Sequence, residues 1–290
     1  MSDASAAADE TLLRDEQRIR RLVERWAVWR DAGDWARFRS LWHPEGVMMA
    51  TWFQGPFEDF IRVTQEGWAR GVNILHFLGG SAIELVGDRA VAQTKMTISQ
   101  RGPVDGVPCD VVCTGRFYDF VVRHHGQWKL LHRQPIYEKD RIDPLDPSAT
   151  LKLDAELLAT FPEGYRHLAY IQTRIGYKVK LDMPMLKGPV VEELYRRGAA
   201  WLAGQSALVA PDHADGDVLP VPDADVEAFV AQAVDDAAIL AAQHLGRASE
   251  AAVAGDLGQL DARRLLPLPR VRNAGARPGE GARRLGRGRQ

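Results

Sequence analysis

The chain has 290 residues, of which 46% are hydrophobic and 26% charged, with a formal net charge of −2 at pH 7. That length suits one large or two small domains, and the near-neutral charge removes the electrostatic case for nucleic acid or an anionic membrane as a partner. No apolar run approaches the roughly 20 residues of a membrane span, and the opening MSDASAAADE lacks an apolar signal core, so a cytoplasmic location is expected.

In chain order, residues 9–35 open as a long helix. Leu12, Ile19, Leu22, Val23, Trp26 and Val28 recur near helical spacing, with Arg and Glu between them. Gly33 interrupts it between two carboxylates. Asp34 suits the N-cap of a short second helix, WARFRSLW, and Asp31 by itself reads as a helix-break carboxylate. HPEG at 43–46 reads as a turn, VMMATWFQG at 47–55 as a strand, and 56–71 as a helix opened by Pro56. Four long strand-like runs follow at 73–86, 89–101, 108–123 and 127–140, separated by turn signals at 87–88, 102–106 and 124–126. Cys109 and Cys113 fall on one face of the third run with no second pair to complete a zinc site, and read as reduced core residues. The order predicts an α+β fold, a curved antiparallel sheet whose helices enclose a conical pocket.

Composition divides the rest. Residues 1–147 form the main domain, and 148–204 a helical extension built from LDAELLATF, EGYRHLAYIQTRIG and GPVVEELYRRGAAWLAG. The extension carries no site of its own, so a lid or dimer contact is its expected role. Residues 205–290 contain no Lys, Trp, Tyr or Cys, and Phe229 is their only aromatic. They read as a low-complexity, largely disordered tail with one candidate helix from Asp223 to Leu240.

The element order, together with RDAGDWARFRSLWHPEG, ILHF and DFVVRHHGQWKLLHR, resembles the SnoaL-like branch of the NTF2-like superfamily over about residues 10–145. Within it the chain resembles the scytalone dehydratase, hexachlorocyclohexane dehydrochlorinase and bile-acid 7α-dehydratase group, which uses an Asp–His dyad. The resemblance places that dyad at Asp31 and His76, and an anion-stabilising Arg at Arg133, five residues after Trp128. Five residues before the Asp, those relatives carry a Lys or Tyr that assists the leaving group, whereas this chain has Trp26. An indole N–H donates one hydrogen bond but does not deliver a proton.

The chemistry of such a dyad is general. A neutral imidazole takes a proton with one ring nitrogen, and a carboxylate accepting from the other fixes the tautomer and stabilises the imidazolium. Alternative roles stay open from the residues alone. His76 in an apolar strand also suits a core histidine, and Arg133 also suits a bridge to Glu138 or Asp140. Trp26, Met48, Trp52, Phe53, Phe77 and Tyr118 are the candidate substrate-lining residues, which points to a small hydrophobic, ring-containing substrate. His43 reads as structural, His124 and His125 as a solvated hairpin tip, and His132 as facing away from Arg133. LGGSAIEL lacks the dinucleotide-fingerprint spacing, and there is no GxSxG, HExxH or clustered Cys/His pattern. The expectation is therefore a lyase of the dehydratase or dehydrohalogenase type, needing no metal or organic cofactor, in a homo-oligomer (dimer or trimer). A ketosteroid-type isomerase and a non-catalytic binding or assembly module are the alternatives.

Overall fold

The structure, a computed structural model, describes residues 3–206. The candidate helix from Asp223 to Leu240 lies outside them. The chain divides into the units Met1–Asp235 and Asp236–Gln290, and every described residue belongs to the first.

Helix α1 (Asp3–Asp31) buries Ile19, Leu22, Val23, Trp26 and Ala27. Leu12 and Val28, expected on the same stripe, are exposed. Val28 lies about two and a half turns beyond Ile19, which turns it to the opposite face. The ridge of every fourth residue, Ile19, Val23 and Ala27, continues to Asp31 and carries that carboxylate inward. Gly33 then takes φ +69°, a left-handed stop that glycine adopts without cost. The Asp34 carboxylate caps α2 (Trp35–Arg39), accepting the Arg37 backbone N–H at 3.2 Å.

One six-stranded sheet follows, in the order β2-β1-β6-β5-β4-β3. Its strands are β1 (Trp42–Met49), β2 (Gln54–Pro56), β3 (Asn73–Val86), β4 (Arg89–Val104), β5 (Val107–His124) and β6 (Gln127–Pro144), with helix α3 (Phe57–Ala69) between β2 and β3. The sheet is mixed, which corrects the all-antiparallel expectation: β1 runs parallel to β6. The β2–α3 passage delivers the chain to the far edge, and three hairpins return it, which fixes the direction in which β6 arrives beside β1. HPEG is also not a free turn. It lies within β1, where pairing to β6 breaks between Trp42 and Val47. The single strand expected over 47–55 is a hairpin, with Val47 opposite Pro56.

A register break between Leu78 and Ser81 in β3, and the extra residues Glu138 and Leu131 of β6 opposite Thr114/Gly115 and Phe120/Val121 of β5, are the bulges that bend such a sheet. At Gly115 a Cβ would penetrate the Ile136 carbonyl oxygen of β6. Gly115→Ala must push two backbones apart, and we expect it to lower the unfolding free energy by about 3 kcal/mol, read from urea denaturation.

The extension packs on both faces of the sheet. A 3-10 turn (Glu163–Tyr165) and α5 (Arg166–Arg174), preceded by α4 (Ala155–Ala159), join the cluster that contains α1, through Tyr165, Leu168 and Tyr170. Helix α6 (Pro189–Leu202) lays Val191, Leu194 and Trp201 over Val91, Tyr118, Phe120 and Leu131 on the opposite face. Cys109 and Cys113 are both free and buried. Among the described residues no helix is long and apolar enough to cross a membrane.

His132 is buried on the α6 face, edge-on to Phe120, and neither ring nitrogen has a hydrogen-bond partner. Burial, with the charge of Arg197 adding to it, pushes its pKa down to about 3. The unfolded chain, titrating near 6.5, binds the proton first. The neutral ring's stability is therefore complete above about pH 6.5 and is lost as pH falls toward 3. Between pH 6.5 and 5 the wild type should lose about 2 kcal/mol through this residue. His132→Leu should flatten that slope in denaturation curves taken at each pH.

Candidate active site

Strand β3 alternates strictly, presenting Ile74, His76 and Leu78 to the concave face and Leu75 and Phe77 to solvent. The C-terminus of α1 meets this strand. The Asp31 carboxylate accepts the His76 backbone N–H with Oδ2 at 2.6 Å, and pairs with His76 Nδ1 through Oδ1 at 2.9 Å. The two contacts fix the carboxylate to the strand and to the ring together. Trp26 stands edge-on to the imidazole at 5.2 Å between centroids, and Phe117 lies at 6.0 Å.

The electrostatics assign the protons. Burial is the largest influence on His76 and pushes its pKa below the ordinary value. The Asp31 hydrogen bond pulls it back only in part, and Arg30 and Arg133 push further down. At neutral pH the ring is uncharged. Burial pushes the Asp31 carboxyl up, but the His76 hydrogen bond, the charges of His76 and Arg30, and the backbone N–H outweigh it and hold the carboxyl below its usual range. A carboxylate therefore faces Nδ1, which carries the proton. Nε2 makes no hydrogen bond among the described residues.

His76 lines a cavity of about 40 Å³ shared with Trp26, Arg30, Met48, Trp52 and Gln100, and closed by Leu168 and Gln172 of α5. By volume it holds only a few waters, well below the roughly 300 Å³ at which pockets for drug-sized ligands begin. Thr51, Gln172 and Gln100 form a buried polar chain along its wall: Thr51 Oγ1 donates to Gln172 Oε1 at 2.6 Å, and Gln172 Nε2 donates to Gln100 Oε1 at 3.4 Å.

Of the expected lining residues, Trp26, Met48 and Trp52 are in place. Three are not. Phe53 is buried but packs against Phe60 and Trp52 instead of facing the cavity. Phe77 is 77% exposed, because the period-two alternation that turns His76 inward turns its neighbour outward. Tyr118 is on the other face of the sheet, against Gly198 of α6.

Arg133 does not line the cavity either. It is fully buried beside its cross-strand partner Asp119, with Nε and Nη2 each 2.7 Å from a carboxylate oxygen. Its guanidinium lies 4.2 Å from the Trp26 ring centroid and 4.0 Å from that of Phe117. It supports the aromatic wall from behind, and it bridges to neither Glu138 nor Asp140. Glu138 instead takes Arg116 at 2.6 Å.

The cation at the cavity is one that sequence reasoning missed. Arg30 precedes Asp31, is buried, and lines the cavity; its Nη1 donates to the Ile74 carbonyl at 2.6 Å and to Asp31 Oδ1 at 3.2 Å. Its one signal was spacing: it follows Trp26 by one turn on the buried stripe. Gln172 was also missed, because nothing in the local pattern of α5 marks it as polar and buried.

Residues 11–134 match the SnoaL-like domain. Pea pathogenicity protein 2 of Fusarium vanettenii is 34% identical over 211 residues, spanning 69% of this chain and 91% of that protein. A PEP2-like protein of the same organism is 35% identical over 207 residues, spanning 68% and 89%. Among solved structures, a hexachlorocyclohexane dehydrochlorinase is 16% identical and covers 51% of this chain and 99% of its own, with a TM-score of 0.40. The chain belongs to the family of Pea pathogenicity protein 2 and its PEP2-like relatives, and its residues 11–134 match the SnoaL-like domain.

Proposed function

We propose that the protein is a cofactor-independent lyase of the dehydratase or dehydrohalogenase type, acting on a small hydrophobic cyclic substrate. The observation that carries this reading is a neutral, buried His76 whose Nδ1 is held by the Asp31 carboxylate while Nε2, at the cavity, is left unbonded. Nε2 takes the proton from a carbon next to the one that bears the leaving group. The C–H electron pair becomes the new double bond as the C–O or C–halogen bond breaks. Where hydroxide leaves, the imidazolium returns its proton to that oxygen and water departs, a syn course that needs no acid at position 26. Arg30 faces the negative charge that develops on the substrate or leaving group, the role first expected of Arg133. Asp31 is a positioning residue and Arg133 a structural support.

The closed cavity is too small for a ring-containing substrate, so α5 and its Gln172 move outward to admit one. The α5 part of residues 148–204 then acts as the lid, while α6 stays packed on the opposite face.

Screening of hydroxylated and halogenated cyclic compounds by mass spectrometry tests the reading. A product lighter by water or hydrogen halide supports it. A product of unchanged mass would assign the same base to a ketosteroid-type isomerase, and equal turnover by wild type and His76→Ala would remove His76 from any chemistry.

A further inference from the structure

A second opening, larger than the cavity beside His76, lies elsewhere on the described surface. A groove of about 430 Å³ runs between the middle of α1, the α2–β1 corner and the β5–β6 hairpin. Arg18, Arg21, Arg25 and Lys129 line it, and no acidic side chain does. The three arginines fall at i, i+3 and i+7, one stripe of the helix. Arg18 leans on Asp15 at 3.1 Å, but Arg21 has no ion pair among the described residues, and the like charges of Arg21 and Arg25 repel along the helix. Lys129 is drawn in from the opposite wall, its Nζ donating to the Ser40 carbonyl at 2.6 Å. Its pKa is lowered by burial alone.

The floor is apolar. Leu22, Leu41 and Trp128 are buried beneath the basic rim. One face of Trp128 is already covered by Arg123, 4.3 Å from the ring centroid, and its indole N–H is committed to Asp15. Trp29 is partly buried at the groove, with the Arg25 guanidinium 5.5 Å from its ring centroid. An aromatic surface beside several cations, over an apolar floor and in a volume that suits a small molecule, selects a ligand with matching halves. We propose that this groove is a second binding site, for an aromatic anion: a flat ring that packs on Trp29 and bears a phosphate or carboxylate group facing Arg21, Arg25 and Lys129.

The probe is phenyl phosphate, titrated into the full-length protein at low salt and followed by calorimetry, with inorganic phosphate and phenol as separate arms. Phenyl phosphate is expected to bind at least about tenfold tighter than either fragment, and to weaken as salt screens the rim. The exposed double variant Arg21→Gln/Arg25→Gln should raise the Kd about tenfold or more, with the circular dichroism spectrum unchanged. Trp29→Leu should bring phenyl phosphate to the affinity of inorganic phosphate. His76→Ala should bind the probe as the wild type does, which separates this site from the dyad. No saturable binding, binding that survives the double variant, or affinity for phenol equal to that for phenyl phosphate would each overturn the proposal.

Discussion

His76→Ala is expected to lower kcat/KM by about a thousandfold on any substrate the protein turns over, the middle of the range for a lost general base. Asp31→Asn should approach the same loss by a different route. An amide cannot hold the ring as the carboxylate does, so the tautomer and the stabilised imidazolium are both forfeited. The pH profile distinguishes this from a generally damaged site. Burial sets the His76 pKa below its ordinary value, so the acid limb of kcat/KM should lie below about pH 6.5, with full activity above it. The Asp31 hydrogen bond raises that pKa. In Asp31→Asn the residual activity should therefore show its acid limb at still lower pH. A limb that stays put or moves up would mean that the carboxylate does not act through the imidazole.

The second large effect concerns stability. Asp119→Ala leaves the Arg133 guanidinium fully buried beside Trp26 and Phe117 without its carboxylate. Breaking such a pair costs about 3–5 kcal/mol, a large fraction of a domain's stability, and urea denaturation will read it directly. Replacing both partners, Asp119→Leu with Arg133→Met, removes the stranded charge and should recover much of the loss. The same experiment decides between the two roles considered for Arg133. A residue that touches the substrate would lose activity on replacement while keeping its stability. A support behind the wall loses stability first.

These contrasts show what was legible in the sequence. Local pattern carried the strands closely: the run 73–86 is β3 to the residue, and the hairpin turns follow their Gly signals. The dyad was legible because each half rests on a period, Asp31 on the i+4 ridge of α1 and His76 on the alternation of β3. The same alternation argued against Phe77, which was named for its hydrophobicity alone. Arg133 is on the cavity side as expected, but Asp119 and the rings of Trp26 and Phe117 take its guanidinium; Tyr118 is on the wrong face for another reason. Which face of β5 and β6 lines the cavity depends on register, and register depends on the extra residues Leu131 and Glu138 of β6, which no turn signal announces. Arg30 was hidden by the habit of reading arginine as surface. Its burial is tolerated because the Ile74 carbonyl of β3, 44 residues away, and the neighbouring Asp31 carboxylate receive it.

The cavity wall has two origins in the chain. Asp31, His76 and Arg30 come from the segment that matches the SnoaL-like domain, whereas Leu168 and Gln172 come from beyond it. Two hydrogen bonds of Gln172, to Thr51 and to Gln100, join the two segments at the cavity. On the proposed function, substitutions along α5 re-tune which molecules are accepted while His76 stays in place, and a change at Asp31 or His76 ends turnover while the binding wall persists. A lineage of such proteins would be expected to diversify in residues 148–204 first, with a silent, ligand-holding descendant only one or two mutations from an active one.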